Sequence, residues 1–411
     1  MSKRDPKWMR IGGTLMIGLF IAYLDRSTLS VSLTSLSKEL GFAGSNYAVV
    51  SSWVLTAFLI GYACANVFGG FLTNKFDPKT VAITMIAFWS IITLLTGFVT
   101  SVSTLIVFRI CLGIAEGVYW PQQSRFARSW FNNKELTTAN SVIQYYGQFL
   151  ALALGFVILT PIYNHFQWHV LFYITGGAGL FIVVPLYVKM LKRQSEAPYA
   201  IDKEVAKNKV TFKALGGAPF LLILFSYISQ GMLFWGITLW LPIAVKSLGF
   251  TGFANGFASS LPYFAAVILA LPMSYISDKT GKRSKIAALG LIIPGILLML
   301  LSQIDNNYLK LGIITISLGY YASSYTPNIW TIIQSNVEPE AVGPASGIIN
   351  GLGAGGGGTI AGFIVGLMYK ATGSYMSGFI ILGLITVLGG FALLLFEKVK
   401  QANILITQDK I

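Results

Sequence analysis

Ser274-Tyr-Ile-Ser-Asp-Lys-Thr-Gly-Lys-Arg283 and Gly70-Phe-Leu-Thr-Asn-Lys-Phe-Asp-Pro-Lys79 are two versions of one short basic loop, 204 residues apart in a chain of 411. Each follows one long apolar stretch and precedes another. A motif that returns at half the chain length marks a duplicated unit. A basic loop without duplication would explain one copy, not two so spaced.

Outward from these loops, apolar stretches near 20 residues recur, long enough as helices to cross a hydrocarbon core of roughly 30 Å. Six run approximately over 11–31, 47–72, 80–100, 103–124, 138–161 and 168–190. Six more run over 219–245, 253–276, 285–303, 309–335, 342–368 and 374–396. Between the two sets lies Lys192 to Lys213 (KRQSEAPYAIDKEVAKNKVTFK), the one long polar stretch and a natural linker. The expected architecture is an all-α integral membrane protein, with twelve transmembrane helices in two pseudo-symmetric six-helix halves. Its expected parts are an N-terminal bundle (1–191), a cytoplasmic linker (192–218), a C-terminal bundle (219–397) and a cytoplasmic tail (398–411).

Composition agrees: 55% of residues are hydrophobic, 11% are charged, and mean hydropathy is +0.69. A soluble domain carries about twice that charged fraction. The net charge of +14 suggests nucleic acid until its placement is read. With the N-terminus cytoplasmic, 23 of the 29 Lys and Arg residues fall on the inner side, and only Lys38, Lys246, Lys310 and Lys370 on the outer. That bias predicts both termini inside and makes the basic balance an orientation signal, not a nucleic-acid footprint. The leader MSKRDPKWMR precedes a span without a small-residue cleavage site, which predicts a retained helix. Cys64 and Cys111 lie in apolar spans with no metal spacing and are expected to be small buried fillers. The short loops and the lack of an N-x-[ST] sequon lean towards a bacterial inner membrane. No cofactor is expected, and the chain is expected to act as a monomer.

Four ionisable residues stand inside the spans: Asp25 and Arg26 in the first, Arg109 and Glu116 in the fourth. A charge at that depth costs about 2.5 to 3.5 kcal/mol on insertion scales, so each is a candidate site for ions or a polar substrate. Asp25 lies six residues before the end of its span near Val31, and Arg109 six residues after the start of its span near Ser103. At about 1.5 Å per residue both sit roughly 9 Å deep, which predicts an Asp25–Arg109 pair, with Arg26 turned about 100° away from Asp25. Glu116 lies two turns deeper than Arg109 on nearly the same face. With all four ionised the set is neutral. Protonating one carboxylate leaves an uncompensated positive charge that favours an anion, and the anion in turn favours the proton. The alternative is that these charges only pin helices together, although buried pairs stabilise less well than apolar packing.

The residues around these charges carry a resemblance. The second loop is similar to the G-x-L-x-D-R-x-G-R-[KR] loop of the major facilitator superfamily, with Ser274 in place of the leading Gly. In the first copy Asn74 stands where Asp is usual and Asp77 where Gly is. Tyr23-Leu-Asp-Arg-Ser-Thr28 resembles the first-helix motif of the superfamily's anion:cation symporters, the carriers of sugar acids, phthalate and sialic acid. Arg109-Ile-Cys-Leu-Gly-Ile-Ala-Glu116, with Pro121, Trp130-Phe131 and Glu135, resembles their fourth-helix pattern, Trp120 and Gln122 being departures.

The resemblance implies a proton-coupled symporter importing an organic anion, with Asp25 and Glu116 as the protonatable pair and Arg26 holding the substrate carboxylate. It implies Arg109 as a carboxylate partner or second anchor, and further substrate contacts at Tyr62, Gln148, Tyr145, Tyr23, Trp330 and Asn350. Pro327 replaces the Ser usual three residues before Trp330 and interrupts that helix. The run Gly351-Leu-Gly-Ala-Gly-Gly-Gly-Gly358 follows no predicted strand, so close helix packing or bending is expected there, not a nucleotide loop.

Two other readings compete. A proton-antiport exporter of drugs or siderophores would share the fold, but Gly147, Gly155 and Pro161 never form the Gly-Pro dipeptide usual in such antiporters. A membrane enzyme would have only His165 and His169 to work with, near one loop and without a nucleophile motif.

Overall fold

The computed structural model describes residues 6–44, 46–72, 76–132, 139–199, 211–338 and 341–408. Asn74, Glu135 and the linker residues 200–210 lie outside them. The chain is all-helical there: α1 (Trp8–Glu39), α2 (Tyr47–Leu72), α3 (Pro78–Thr96), α4 (Val102–Trp130), α5 (Ser141–His165) and α6 (Trp168–Met190) come first. After the linker follow α7 (Ala218–Ser247), α8 (Gly252–Thr280), α9 (Arg283–Met299), α10 (Asn307–Ser324), α11 (Thr326–Asn336), α12 (Val342–Thr372) and α13 (Tyr375–Gln408).

Among the described residues, 11 helices are long and apolar enough to cross a membrane. The stretch expected as a tenth span is divided: α10 stops at Ser324, α11 restarts at Thr326, and Pro327 sits in its first turn. A proline there has no N–H to lose and its fixed φ suits a helix start, so the break falls just before it. Large apolar side chains such as Phe181, Ile182, Ile268 and Leu388 stand exposed on the flanks, a surface that suits lipid and not water.

Local chemistry sets the helix ends. Asp77 accepts from Lys79 N at 2.9 Å to cap α3, and Asn306 accepts from Tyr308 N and Leu309 N at 2.9 and 3.1 Å to cap α10. In the second loop copy, α8 ends on Gly281 at φ +67°, a left-handed turn that glycine makes without strain. The two loops join equivalent pairs, α2 to α3 and α8 to α9.

Within the first set of helices α2 packs on α4, α3 on α4 and α6, and α1 on α5; within the second α13 packs on α7 and α9, and α8 on α10. The sets meet where α2 lies along α12 and α5 along α8. The glycine run forms a wide, π-helical segment of α12, Asn350–Gly357. A methyl added to Gly355 would lie 2.6 Å from Ala63 Cα of α2, and one on Gly357 would lie 2.6 Å from Ile228 O of α7. The glycines thus let α12 press on both neighbours at once. Cys64 and Cys111 are free, but Cys64 is exposed and Cys111 half-buried. The expectation of two buried fillers is therefore corrected, because an apolar span in lipid has an apolar outer face as well as a packed one.

Candidate functional site

α1 continues eight residues beyond Val31, to Glu39, and this resets the depth of everything on it. Arg26 lies 13 residues from Glu39, and Glu116 lies 14 residues from the start of α4 at Val102. At 1.5 Å per residue both sit roughly 20 Å from those ends, side by side on antiparallel helices. Arg109, seven residues from Val102, is two turns shallower.

The pairing follows. Arg26 donates to Glu116 Oε2 through Nε at 2.8 Å and through Nη2 in a very short contact. Asp25 Oδ2 instead accepts from Thr93 Oγ1 of α3 at 2.6 Å. The expected Asp25–Arg109 ion pair is not formed among the described residues, and Arg109 Nε and Nη1 have no hydrogen-bond partner. Matching depths from a helix end placed eight residues too early put the wrong residues opposite each other.

All four charges are buried, with exposures of 2 to 7%. Around Arg26 stand four rings, with its guanidinium carbon 4.2 Å from the Tyr23 ring centre, 4.7 Å from Phe58, 5.1 Å from Trp235 and 5.3 Å from Tyr62. Trp235 belongs to α7, so the second set of helices reaches this charge as well. Phe58 also lies 5.1 Å from the Arg109 guanidinium carbon, so one ring is close to both guanidinium groups. Such faces stabilise a desolvated cation by about 2 kcal/mol. Removing one partner of the buried pair would strand the other at about 3 to 5 kcal/mol.

Beside these groups is a small cavity lined by Arg26, Ser27, Leu29, Ser30, Leu55, Phe58, Arg109, Leu152, Phe156, Trp235, Thr238 and Leu239. Arg26 Nη1, Arg109 Nε and Nη1, Asp25 Oδ1 and Glu116 Oε1 are buried without a partner. Unused donors beside two held carboxylates can take an anion, and unused carboxylate oxygens can take a proton.

None of the other expected contact residues lines this cavity, although the Tyr23 and Tyr62 rings face Arg26 in its wall. Asn350 Nδ2 donates to Tyr62 Oη at 2.7 Å and to Asn66 Oδ1 at 3.1 Å, and Tyr227 Oη donates to Asn350 Oδ1 at 3.3 Å. Tyr62 and Asn350 therefore tie α2 to α12. Tyr145 donates to the Thr326 carbonyl, tying α5 to α11. Trp330 is buried with its ring 5.6 Å from that of Tyr227, and Gln148 is buried on α5. Tyr23 lines the Arg26 cage.

Sequence reading missed Thr93, whose only signal is a hydroxyl in an apolar helix, and Trp235. It also missed a tie at the basic end. Asp77 Oδ2 accepts from Gln194 N at 3.1 Å, and Arg125 donates to Gln194 Oε1 at 2.7 Å and to the Phe76 carbonyl at 3.1 Å. His169 Nε2 lies 3.3 Å from Glu39 Oε1, a carboxylate distant in sequence, while no group of metal-ligating residues forms among the described residues.

An apolar-flanked helical bundle that buries two acids and two guanidinium groups beside a cavity, with helices from both sets reaching it, is built as a multi-pass membrane transporter. A family model described as the Major Facilitator Superfamily matches residues 15–360, and the chain belongs to that superfamily.

It is similar to the "Probable galactarate/D-glucarate transporter GudP" of Bacillus subtilis (strain 168), 26% identical over 93% of this chain and 90% of that protein. It is also similar to the "Probable sulfoacetate transporter SauU" of Cupriavidus necator, 26% identical over 95% and 94%. The D-galactonate transporter of Escherichia coli O6:H1 is 23% identical over 95% of each chain. Among solved structures, a bacterial homolog to the human lysosomal transporter Spinster, in an inward-facing and occupied conformation, has the same fold. Its TM-score is 0.73 at 12% identity, covering 96% of this chain and 98% of that one.

Proposed function

We propose that the protein is a proton-coupled symporter that imports an organic anion, a carboxylate, across a bacterial inner membrane by alternating access. The observation that carries this is the buried Arg26–Glu116 pair beside Arg109, whose donors are unused. Glu116 occupies the guanidinium group that a substrate carboxylate would need. Protonating Glu116 releases Arg26 and leaves the cluster positive, and an entering anion restores neutrality. Anion and proton then each favour the other's binding by the same factor. Asp25, held by Thr93, is the second acid that can take a proton.

The relatives named as transporters of galactarate and D-glucarate, sulfoacetate, and D-galactonate support an organic acid as cargo. In this reading α10 and α11 make one crossing and bring the total to twelve. The halves are 1–191 and 219–397, joined by 192–218, with both termini and the tail 398–411 cytoplasmic as the Lys and Arg bias favours. One chain suffices, since the charges and the cavity lie within it. With the interior negative, each imported negative charge costs about 2.3 kcal/mol per 100 mV, and moving more protons than anion charges reverses that sign.

The test is uptake of a radiolabelled carboxylate into proteoliposomes under an imposed pH gradient. Accumulation that collapses with a protonophore and ignores sodium is expected. Accumulation that follows a sodium gradient with no proton flux would remove the coupling mechanism.

A further inference from the structure

We propose that Asn350 is a latch that keeps the transport path shut on the inner side of the charge cluster, so that the protein without cargo rests with that side closed. This goes beyond the importer reading above and takes from it only which side is inner.

The order of residues along the helices places the latch. α2 runs from an outer end at Tyr47 to an inner end at Leu72, and the cavity residues Leu55 and Phe58 come before Tyr62 and Asn66 on it. α7 runs the other way, and there Tyr227 comes before Trp235, Thr238 and Leu239. Tyr62, Asn66 and Tyr227 thus lie inward of the cavity, with Asn350 bonded to all three. The Tyr62 ring also lies 5.3 Å from the Arg26 guanidinium carbon, so the latch closes directly against the cluster.

The two N–H groups of Asn350 Nδ2 both reach α2, at Tyr62 Oη (2.7 Å) and Asn66 Oδ1 (3.1 Å). Tyr227 Oη of α7 donates to Asn350 Oδ1 at 3.3 Å, which fixes the amide with its donors towards α2. All four side chains are buried. Parting α12 from α2 at this point breaks two hydrogen bonds in an apolar interior. The bond from Tyr145 to the Thr326 carbonyl, also inward of Leu152 and Phe156, ties α5 to α11 in the same way.

Outward of the cavity α2 meets α12 differently. A methyl on Gly362 would lie 2.2 Å from Thr56 Cγ2, and one on Gly366 would lie 2.0 Å from Ser52 Oγ. The Ser52 and Thr56 hydroxyls donate within their own helix, to the carbonyls of Ala48 at 2.7 Å and Ser52 at 2.5 Å. Trp53 meets Phe363 edge-on, with ring centres 5.0 Å apart. These surfaces separate without leaving a polar group unpaired, so the outer side opens more readily than the inner.

The experiment measures a distance across the inner ends by double electron-electron resonance, on the purified full-length protein without cargo. Spin labels go on Thr80→Cys of α3 and Lys285→Cys of α9, both exposed, with Cys64 and Cys111 changed to alanine. With the latch intact a short distance is expected to dominate. Asn350→Leu, which fills similar space with neither donor nor acceptor, is expected to raise the longer, open population by about tenfold. Tyr62→Phe keeps the ring against Arg26 and removes only the hydroxyl; a smaller rise is expected, and this variant decides the matter if Asn350→Leu does not fold. An unchanged distance distribution in the folded variants, or a long distance already dominant with the latch intact, would overturn the inference. Proton coupling is read separately by the uptake test above, so either conclusion can fail without the other.

Discussion

The two sets of helices solve the same problem, a polar core in an apolar protein, in opposite ways. α1 and α4 carry Asp25, Arg26, Arg109 and Glu116, and five buried polar atoms of these four side chains have no partner. α7, α8 and α10 to α12 carry no ionisable Asp, Glu, Lys or Arg in the corresponding positions of their spans; what they leave without partners is hydroxyls alone, on Ser259, Thr315, Ser317, Ser324 and Ser346, while several of their larger polar side chains are paired. Tyr321 donates to Gln230, Ser277 to Asn328 and Tyr263 to Thr238, while Asn328 Nδ2 donates to the Ser324 carbonyl at 2.8 Å. A paired neutral core holds shape. A charged core with spare capacity can bind and titrate.

Substitutions on the two sides should therefore differ in kind. The largest effect is expected from Arg26→Ala, which strands Glu116 at about 3 to 5 kcal/mol and deletes the central donor. Uptake into proteoliposomes should vanish, and the melting temperature should move much less than uptake if Glu116 takes up a proton. Glu116→Gln should come next, keeping anion binding within about threefold while abolishing accumulation driven by a pH gradient. Counterflow exchange, which needs no net proton movement, should survive in that variant and separates lost coupling from lost folding.

Thr93→Val removes the donor that holds Asp25. A hydrogen bond to a charged group is worth about 1.5 to 3 kcal/mol, so proton-driven uptake should fall by roughly tenfold or more with binding at pH 5.5 little changed. Tyr321→Phe in the neutral core should be mildest, costing about 1 kcal/mol of stability, read as a small drop in melting temperature, with uptake within about twofold. A Tyr321→Phe protein as dead as Arg26→Ala would erase the distinction between the two sides.

Much of this architecture is legible in the sequence, for reasons that particular residues make plain. The loop copies at 70–79 and 274–283 fall between equivalent helices, and Gly281 makes the turn its position suggests. Pro327 marks a real break, and the glycine run at 351–358 is a packing surface.

The site was half legible. Its four charges stand out because lipid makes charge expensive, yet their pairing does not. The stretch Ser30-Val-Ser-Leu-Thr-Ser-Leu-Ser37 looks like the end of a span, although two of its hydroxyls turn back onto the helix and that of Ser35 meets Tyr163 of α5. Ser32 Oγ donates to the Thr28 carbonyl at 2.7 Å and Ser37 Oγ to the Thr34 carbonyl at 2.8 Å. Hydroxyls satisfied in this way are polar in composition but apolar in effect, so the helix runs on and the register shifts by about two turns. Trp235 was hidden for a different reason: an aromatic residue in an apolar helix carries no sign of the charge it will cover. The basic-end tie through Asp77 and Arg125 joins segments more than 40 residues apart, and only the fold brings them together.

The central claim is that a proton on Glu116 and a carboxylate on Arg26 bind together. Isothermal titration of a carboxylate into the purified protein at one pH, in buffers of different ionisation enthalpy, counts the protons taken up with each anion. The account predicts about one proton per anion in the wild type and a clear fall in Glu116→Gln. Anion binding with no proton uptake in the wild type would contradict it.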